Sequence, residues 1–234
     1  MKSHPVSVFQ AIIKAVSSKT LPFSSLENKD IPIFHIRDRK HSYKMKPFDR
    51  LRVDFMFFRR SFEEIEQWRQ ALLLYFSDPA YVESVEILTV GEIEERDYQK
   101  LVLEYGELSG QGELCLEFLI PLPFKPEIGK PRTSLSKQKF IALFEKRFSE
   151  LFGQSIRYEA VEDVFFIFPF YWRYTEIKHS SRSNPGFTQF INGTFGKLYL
   201  KGNWKEFLPF LLLGLEVHVG AKLSNSQGYY RLSG

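Results

Sequence analysis

The order of the apolar segments after Gly112 limits the fold of this chain more than any other feature of the sequence. Short runs of alternating or continuous apolar residues predict strands, and apolar residues spaced three and four apart predict helices. The predicted segments are a strand at 114–120, a helix at 134–152 that stops at Gly153, strands at 164–171 and 187–200, a helix capped by Asn203, and a strand at 229–232. The order strand, helix, strand, strand, helix, strand is that of a ferredoxin-like unit.

The first half of the chain shows a similar order of segments, but its first strand is missing or replaced. Ser61 and Glu64 form a capping box at the start of a helix, and Pro79 ends that helix. The other predicted segments are a helix at 5–16 and strands at 31–36, 51–57, 82–93 and 98–105. We therefore predict an α+β fold with two tandem ferredoxin-like (RRM-like) domains, of which the first lacks or alters its first strand. The predicted domains are 1–108 and 113–234, joined by the glycine-containing turn at 109–112.

Positive charge is concentrated in one part of the chain. The formal net charge is +4 and the sequence pI is about 9.0. Residues 171–205 carry six cations and one anion, so this segment accounts for more than the whole surplus. The pattern favours a polyanionic partner, and we expect RNA phosphates to bind at Arg173, Lys178, Arg182 and Lys197. The alternative for each of these residues is an exposed strand face with no ligand.

Several classes of site are excluded by the residue types present. Cys115 is the only cysteine, so the sequence has no internal disulfide and no cysteine-cluster metal site. None of the five histidines is four residues from another, and we therefore expect no metal and no cofactor. No apolar run approaches the roughly 20 residues that span a bilayer. We expect no signal peptide, no membrane partner and a cytoplasmic location.

The segment from Leu211 to Leu232 carries the residues that are best suited to chemistry. It contains an apolar helix end, one histidine, one lysine and three glycines, which are Gly214, His218, Gly220, Lys222 and Gly228. Glycines allow a backbone to approach a ligand closely, and successive N–H groups in such a loop can hold phosphate oxygens. A site that handles phosphate is one interpretation. The alternative is a helix C-cap at Gly214 followed by an ordinary hairpin at Gly228.

The same residues carry a family resemblance. His218-Val219-Gly220-Ala221-Lys222, followed by Gly228-Tyr229-Tyr230-Arg231-Leu232, resembles the glycine-rich C-terminus of the CRISPR-associated pre-crRNA endoribonucleases, the Cas six family of the RAMP superfamily. Other features agree with the resemblance: a strand that runs into a proline loop at 118–121, Trp172 before a polar stretch, and glycines at 193 and 196 within a strand. The resemblance extends from about Pro32 to the C-terminus.

The resemblance implies a reaction and a set of roles. Such enzymes cleave CRISPR repeat RNA without a metal by attack of the 2′-hydroxyl, which leaves a 2′,3′-cyclic phosphate and a 5′-hydroxyl. His218 is the first candidate for the acid or base, His41 is an alternative in the first domain, and Lys222 would neutralise the phosphate. Gly214, Gly220 and Gly228 would contact RNA through their backbones. His35 and His179 are further alternatives, with structural or phosphate-capping roles as the competing interpretations.

Two other functions stay open. The same superfamily fold also builds RNA-binding subunits of CRISPR effector complexes, so a non-catalytic RAMP subunit is the main alternative. A protein-interaction module with an incidental basic face is the weaker one. The expected partners are the CRISPR repeat transcript and other Cas proteins, and the chain is expected to be a monomer or a homodimer.

Overall fold

The computed structural model describes the chain at residues 9, 12–13, 15–16, 32–36, 50, 52–78, 87, 89–159, 161–162, 164–180, 188–220 and 227–233. Its elements in chain order are β1 (Ile33–Ile36), β2 (Val53–Met56), α1 (Phe62–Ser77), α2 (Tyr98–Glu104), β3 (Gln111–Leu122), α3 (Lys137–Phe152), β4 (Phe165–Ser180), β5 (Thr188–Asn203), α4 (Leu208–Val217) and β6 (Tyr230–Ser233). The described positions of the predicted first helix are also helical, namely Phe9, Ile12, Ile13, Ala15 and Val16.

The second half forms an antiparallel four-stranded sheet in the order β4-β5-β3-β6. Alternation along β3 points Leu114, Leu116 and Phe118 to one face, where α3 and α4 cover them. From α3, Phe140 and Phe144 are fully buried in the same core. Burial of each such side chain stabilises the fold by roughly 1.5–3 kcal/mol. The strand order and the two helices on one face confirm the predicted ferredoxin-like unit.

Helix α3 begins and ends as its sequence predicts. The side chain of Ser136 accepts a hydrogen bond from the N–H of Lys139 at 3.3 Å, so one of the free N–H groups at the helix start is satisfied. Gly153 has φ 68° and ψ 20°, and its N–H donates to the carbonyl of Ser149 at 3.0 Å. That left-handed conformation favours glycine and ends the helix.

The described part of the first half pairs β1 with β2 in an antiparallel arrangement and places α1 beside them. The predicted capping box is present, with Ser61 and Glu64 bonded reciprocally at 2.9 and 3.2 Å. Trp68 on α1 is buried with Phe34 on β1 in a second hydrophobic cluster. This cluster also contains Leu119, Ile120 and Tyr229 from the second half. The two halves therefore share apolar surface, and the boundary at 109–112 stays a prediction.

The strand predicted at 98–105 is wrong, because this segment forms the helix α2. Asp97 caps it by accepting a hydrogen bond from the N–H of Lys100 at 2.8 Å. Leu101 is buried in the core of the second half, and its neighbours on either side are exposed. A strand would place Leu103 on the same face as Leu101, but Leu103 is 81% exposed, so the burial pattern fits a helix. In the strand predicted at 82–93, positions 87 and 89–93 are not in a strand, and the remaining positions lie outside the described residues.

The helix predicted after Asn203 begins later and ends later than its sequence suggests. Asn203 accepts from the N–H of Lys205 at 3.3 Å within a turn, and α4 starts only at Leu208. Gly214 is not a C-cap but an interior position of α4, and it is buried. A Cβ there would overlap the Tyr230 hydroxyl and lie 2.7 Å from the Phe144 ring, so glycine is needed for close packing rather than for a turn. None of the described helices is long and apolar enough to cross a bilayer.

Candidate functional site

His218 occupies a strained backbone position directly after α4. Its φ is 58° and its ψ is 169°. That region is close to one used almost only by glycine, and a side chain there costs about 1–3 kcal/mol. Such strain is found where the surrounding structure holds a residue in place, and it is concentrated at functional sites. The histidine predicted as the centre of the site is therefore a conformational outlier.

Three buried rings meet at His218. Its ring centroid lies 4.3 Å from that of His35 on β1 and 5.2 Å from that of Tyr229, and the His35 and Tyr229 centroids are 4.5 Å apart. All three residues are buried, and the His218 ring is fully enclosed. We call these residues the ring cluster. It joins a strand of the first half to the glycine-rich segment of the second.

The last carbonyls of α4 are held by side chains from other elements. His35 Nε2 lies 3.2 Å from the carbonyl oxygen of Glu216, and Arg147 Nε donates to the carbonyl of Val217 at 2.8 Å. Helix C-termini leave such carbonyls without partners inside the helix, so these bonds fix the point where the chain turns into His218. Arg147 is buried, and this burial lowers the pKa of its guanidinium to about 10. The backbone of His218 is thus anchored from both halves.

The side chain of Glu216 adds a third anchor at the end of α4. Arg96, which precedes α2, approaches it with Nη2 3.3 Å from Oε1, and the same guanidinium binds Glu104 on α2. The Glu216 side chain is largely buried, so screening by water is weaker than for a surface pair. Helix α2 is thereby tied to the end of α4 that carries the ring cluster.

The glycine-rich segment is fixed at both of its ends. The N–H of Val219 donates to the carbonyl of Gly228 at 3.4 Å, and the N–H of Gly228 donates to that of Pro121 at 3.1 Å. Gly228 has φ 78°, and a Cβ there would overlap the carbonyl oxygen of Val219. Gly220 has φ 109°, and a Cβ there would lie 3.0 Å from Pro123 Cδ. Both glycines are buried positions of close backbone approach, which hold the chain on each side of residues 221–226.

The other predicted site residues are distributed over three parts of the chain. Arg173 is exposed on β4, and Lys197 is half-buried on β5. Lys178 is placed by its backbone near the far end of β4. His41, Arg182 and Lys222 lie outside the described residues. For His179 only the backbone, in β4, is described. Gly214 packs inside the core and does not reach the surface.

The far part of the β4–β5 pair extends beyond β3. Strands β4 and β5 pair as far as Ser180 and Thr188, whereas the pairing of β3 with β5 ends at Thr194. Arg132 supports this extension, because its guanidinium donates to the Tyr174 hydroxyl at 2.9 Å and forms an ion pair with Glu176. Gln227 ties the glycine-rich segment to the same extension by donating to the carbonyl of Asn192 at 2.8 Å. We call this extension, residues 175–180 of β4 with 188–193 of β5, the arm. Of the predicted RNA-binding cations, Lys178 lies on the arm, whereas Arg173 and Lys197 lie on the part of the pair that β3 flanks.

Sequence reasoning missed the role of Arg147 and the meeting of His35 with His218. Arg147 occupies a position on the apolar face of α3, between Phe144 and Phe148, and a cation at such a position is a signal for a buried partner. The contact between His35 and His218 has no local signal, since 183 residues separate them. Tyr229 and Tyr230 are both buried, Tyr229 in the cluster that the two halves share and Tyr230 in the core of the second half.

Tyr230 allows a test of the packing beneath the ring cluster. Its hydroxyl donates to the carbonyl of Leu211, and burial raises its pKa well above the ordinary value. The unfolded chain therefore ionises Tyr230 above about pH 10 while the folded chain does not, so stability falls as pH rises from there. We expect Tyr230→Phe to lower the free energy of unfolding by about 1 kcal/mol at pH 8. Above about pH 10, the free energy of unfolding of the variant should fall less steeply with pH, by up to about 1.4 kcal/mol per pH unit. Urea unfolding at pH 8 to 11 measures both, and identical slopes would contradict the prediction.

Within the residues that the structure describes, no group of three or more metal-ligating side chains is present. No family model matches the sequence, and no curated protein matches it.

Solved structures match the chain by fold. A Cas6 product complex matches with 13% identity and a TM-score of 0.58, covering 100% of this chain and 95% of that one. Thermus thermophilus Cas6 matches with 11% identity and a TM-score of 0.53, covering 97% and 89%. A partial Cas6-RT-Cas1–Cas2 complex matches with 12% identity and a TM-score of 0.57, covering 100% of this chain and 43% of that one. The chain therefore has the tandem ferredoxin-like fold of Cas6 proteins along its whole length, as the sequence resemblance predicts.

Proposed function

We propose that the chain is a metal-independent endoribonuclease that cleaves CRISPR repeat RNA. The observation that supports it most is the match in fold over the whole chain to a Cas6 in a product complex. In the proposed reaction the 2′-oxygen attacks the adjacent phosphorus and the bond from phosphorus to the 5′-oxygen breaks. The 2′-hydroxyl loses a proton and the 5′-oxygen gains one, so the products are a 2′,3′-cyclic phosphate and a 5′-hydroxyl.

This chemistry needs a proton acceptor, a proton donor and positive charge at the phosphate. We assign one proton transfer to His41, six residues after His35, and neutralisation of the phosphate to Lys222, two residues after Gly220. Removal of a positioned acid or base commonly costs 10²–10⁴-fold in rate, about 3–5 kcal/mol of barrier. The backbone of the fixed glycine-rich segment would present Lys222 to the RNA.

His218 has a different position from that expected of a group in contact with RNA. Its ring is fully buried and packs against His35 and Tyr229, so a phosphate could reach it only if the surrounding residues moved. We therefore propose that His218 positions the glycine-rich segment and the strand that leads to His41. Direct catalysis by His218 remains the competing assignment.

The β4–β5 pair, including the arm, is the proposed phosphate-binding surface. Arg173, Lys178 and Lys197 are cations on this pair, and we assign Arg182, which lies outside the described residues, to the same surface. Such contacts release counterions, so binding should weaken steeply as salt rises. Arg132 and its partners Tyr174 and Glu176 hold the base of the arm in place.

The proposed partners follow from the same reaction. We propose the CRISPR repeat transcript as the ligand, other Cas proteins as associates, a monomer or homodimer as the active form, and the cytoplasm as the location. One solved match is a complex in which Cas6 is found with RT, Cas1 and Cas2, which supports the second of these.

A non-catalytic RNA-binding subunit is the second candidate. The observation that favours it is the enclosure of His218, because the histidine in the glycine-rich segment does not face solvent. Under this alternative the arm and the glycine-rich segment bind RNA, and no strand is cut.

End-labelled repeat RNA from the host's CRISPR array tests the proposal. The full chain is incubated with the RNA in excess chelator, beside a matched RNA that carries one 2′-deoxy nucleotide at the cut site. We expect cleavage of the first RNA only, with a 2′,3′-cyclic phosphate on the upstream product. Because the deoxy RNA lacks only the nucleophile, it controls for contaminating nucleases that act by water attack.

The outcomes separate the two candidates. Cleavage that requires an added metal ion, or that cuts the deoxy RNA equally, would contradict the proposed reaction. Salt-sensitive binding of both RNAs without any product would favour the non-catalytic subunit. Unchanged binding between 50 and 500 mM salt would argue against phosphate recognition altogether.

A further inference from the structure

Strand β4 exposes a row of aromatic side chains on the sheet face opposite α3 and α4. Phe166, Phe168 and Phe170 are 61%, 49% and 51% exposed. The alternate residues Phe165 and Ile167 point into the core instead. The outward positions of a strand do not need apolar side chains. Phenylalanines at these positions contribute little to stability, because their rings stay largely exposed.

A β-bulge adds one more ring to this row. The register of β4 against β5 shifts between Phe170 and Arg173, so the regular alternation is interrupted. Tyr171 has φ 48° and is 69% exposed, whereas Trp172 turns inward and packs on Phe118 at 5.6 Å. A positive φ destabilises a tyrosine by roughly 1–2 kcal/mol. Because the ring of Tyr171 is exposed, its burial offsets little of this strain. Bulges that redirect a side chain are typical of functional surfaces.

The exposed rings are close enough to act together. Phe166 and Phe168 are 6.5 Å apart between centroids, Phe170 and Tyr171 are 4.4 Å apart, and Tyr199 on β5 is 6.1 Å from Phe170. We call these five residues the aromatic strip. It lies at the β4 edge of the sheet, whereas Tyr229 and the ring cluster lie next to β6 at the other edge. Three strand spacings, about 14 Å, separate the two edges.

Two lysines on β5 lie opposite rings of the aromatic strip. In the register of β4 and β5, Lys201 lies opposite Phe166 and Lys197 lies opposite Phe170. Lys201 is 3.9 Å from Glu113, but the carboxylate opposite Lys197, that of Glu117, is bound by Arg231 at 2.6 Å. Within the part of the chain that the structure describes, Lys197 has no ion-pair partner. The aromatic strip therefore carries positive charge that is not neutralised.

The strand edge itself argues against a protein partner. Pro169 lies in the middle of the exposed edge strand and lacks an N–H, and the bulge at Tyr171 distorts the ladder. Both features oppose the addition of another strand. Lysine is also depleted in the cores of protein interfaces, whereas rings interleaved with cations suit stacked bases and their phosphates.

We propose that the aromatic strip binds single-stranded RNA, with bases stacked on Phe168, Phe170 and Tyr171 and phosphates bound by Lys197. This proposal rests on the proposed function only because both take RNA as the ligand. It does not require that the protein cleave RNA. It would give the protein a second contact for unpaired nucleotides, at the sheet edge remote from the ring cluster. Stacking does not need hydrogen bonds to base edges, so the sequence preference should be weak.

Binding of a fluorescein-labelled adenosine decamer to the full chain tests this proposal by fluorescence anisotropy. We expect Phe168→Ala and Phe170→Ala each to raise the Kd about 10-fold, and Lys197→Gln to reduce the salt slope by about 0.7. Phe62→Ala is the matched control, since Phe62 is 64% exposed but lies beside Glu63 and Glu64 at the start of α1. A decamer with one 2-aminopurine should also lose fluorescence when stacked on the wild type but not on Phe170→Ala.

The outcomes are distinct from those of the cleavage assay. Kd values for Phe168→Ala and Phe170→Ala that match Phe62→Ala would overturn the proposal, whether or not repeat RNA is cleaved. Sedimentation of the wild type as a dimer that Phe170→Ala dissociates would show a protein interface instead, which also overturns it. Weaker decamer binding with an unchanged thermal transition and an unchanged sedimentation coefficient would support it, even in a chain that cuts no RNA.

Discussion

Gly228→Ala is expected to destabilise the protein by at least about 3 kcal/mol and to abolish repeat-RNA cleavage. Two costs add at this position. The backbone has φ 78°, where an alanine costs about 1–2 kcal/mol, and the new Cβ would overlap the carbonyl oxygen of Val219 and lie 2.8 Å from its carbonyl carbon. These are backbone atoms of the residue next to His218, so relief of the overlap must separate the two ends of the glycine-rich segment.

Gly129→Ala is the matched control for this prediction. Gly129 has the same φ of 78°, but a Cβ there would meet nothing within 4 Å. We expect Gly129→Ala to lower the free energy of unfolding by only about 1–2 kcal/mol and to leave cleavage unchanged. Chemical unfolding of both variants gives the difference, which isolates the overlap with Val219. Equal stabilities for the two variants would show that the segment opens freely, and the proposed anchoring would then be wrong.

His41→Ala is expected to lower the single-turnover cleavage rate by about 10²–10⁴-fold while the unfolding free energy stays within about 0.5 kcal/mol. The proposed role is proton transfer at the RNA, so the variant should also lose the limb of the pH–rate profile that falls in the titration range of histidine. His4→Ala, another histidine of the first half, serves as the control and should cleave normally.

His218 is tested by a pair of variants that separate its ring from its backbone. His218→Gly removes the ring but relieves the strain at φ 58°, whereas His218→Ala removes the ring and keeps the strain. We expect the glycine variant to be more stable than the alanine variant by about 1–2 kcal/mol. Both should keep the shape of the pH–rate profile, because a positioning residue does not transfer the proton. A folded His218→Gly that loses the histidine limb would identify His218 as the catalytic residue.

Local features of the chain were predictable because each depends on neighbouring residues. The capping box at Ser61, the end of α3 at Gly153 and the spacing of phenylalanines along α3 all follow from near-neighbour rules. The segment at 98–105 was not predictable in this way. It contains three consecutive apolar residues, which fit a strand as well as a helix, and the burial of Leu101 against the second half decided for the helix.

The sequence alone determined the order of elements in the second half, the basic segment at 171–205 and the residue types available for chemistry. The tertiary structure alone decided which of those residues meet. It enclosed His218 between His35 and Tyr229, turned Gly214 from a cap into a packing position, and brought Arg147 to the end of α4. The physical reason is that hydrophobic burial and backbone hydrogen bonds are satisfied over the whole molecule. Pairs far apart in the chain, such as positions 35 and 218, become neighbours only when the two halves share a core.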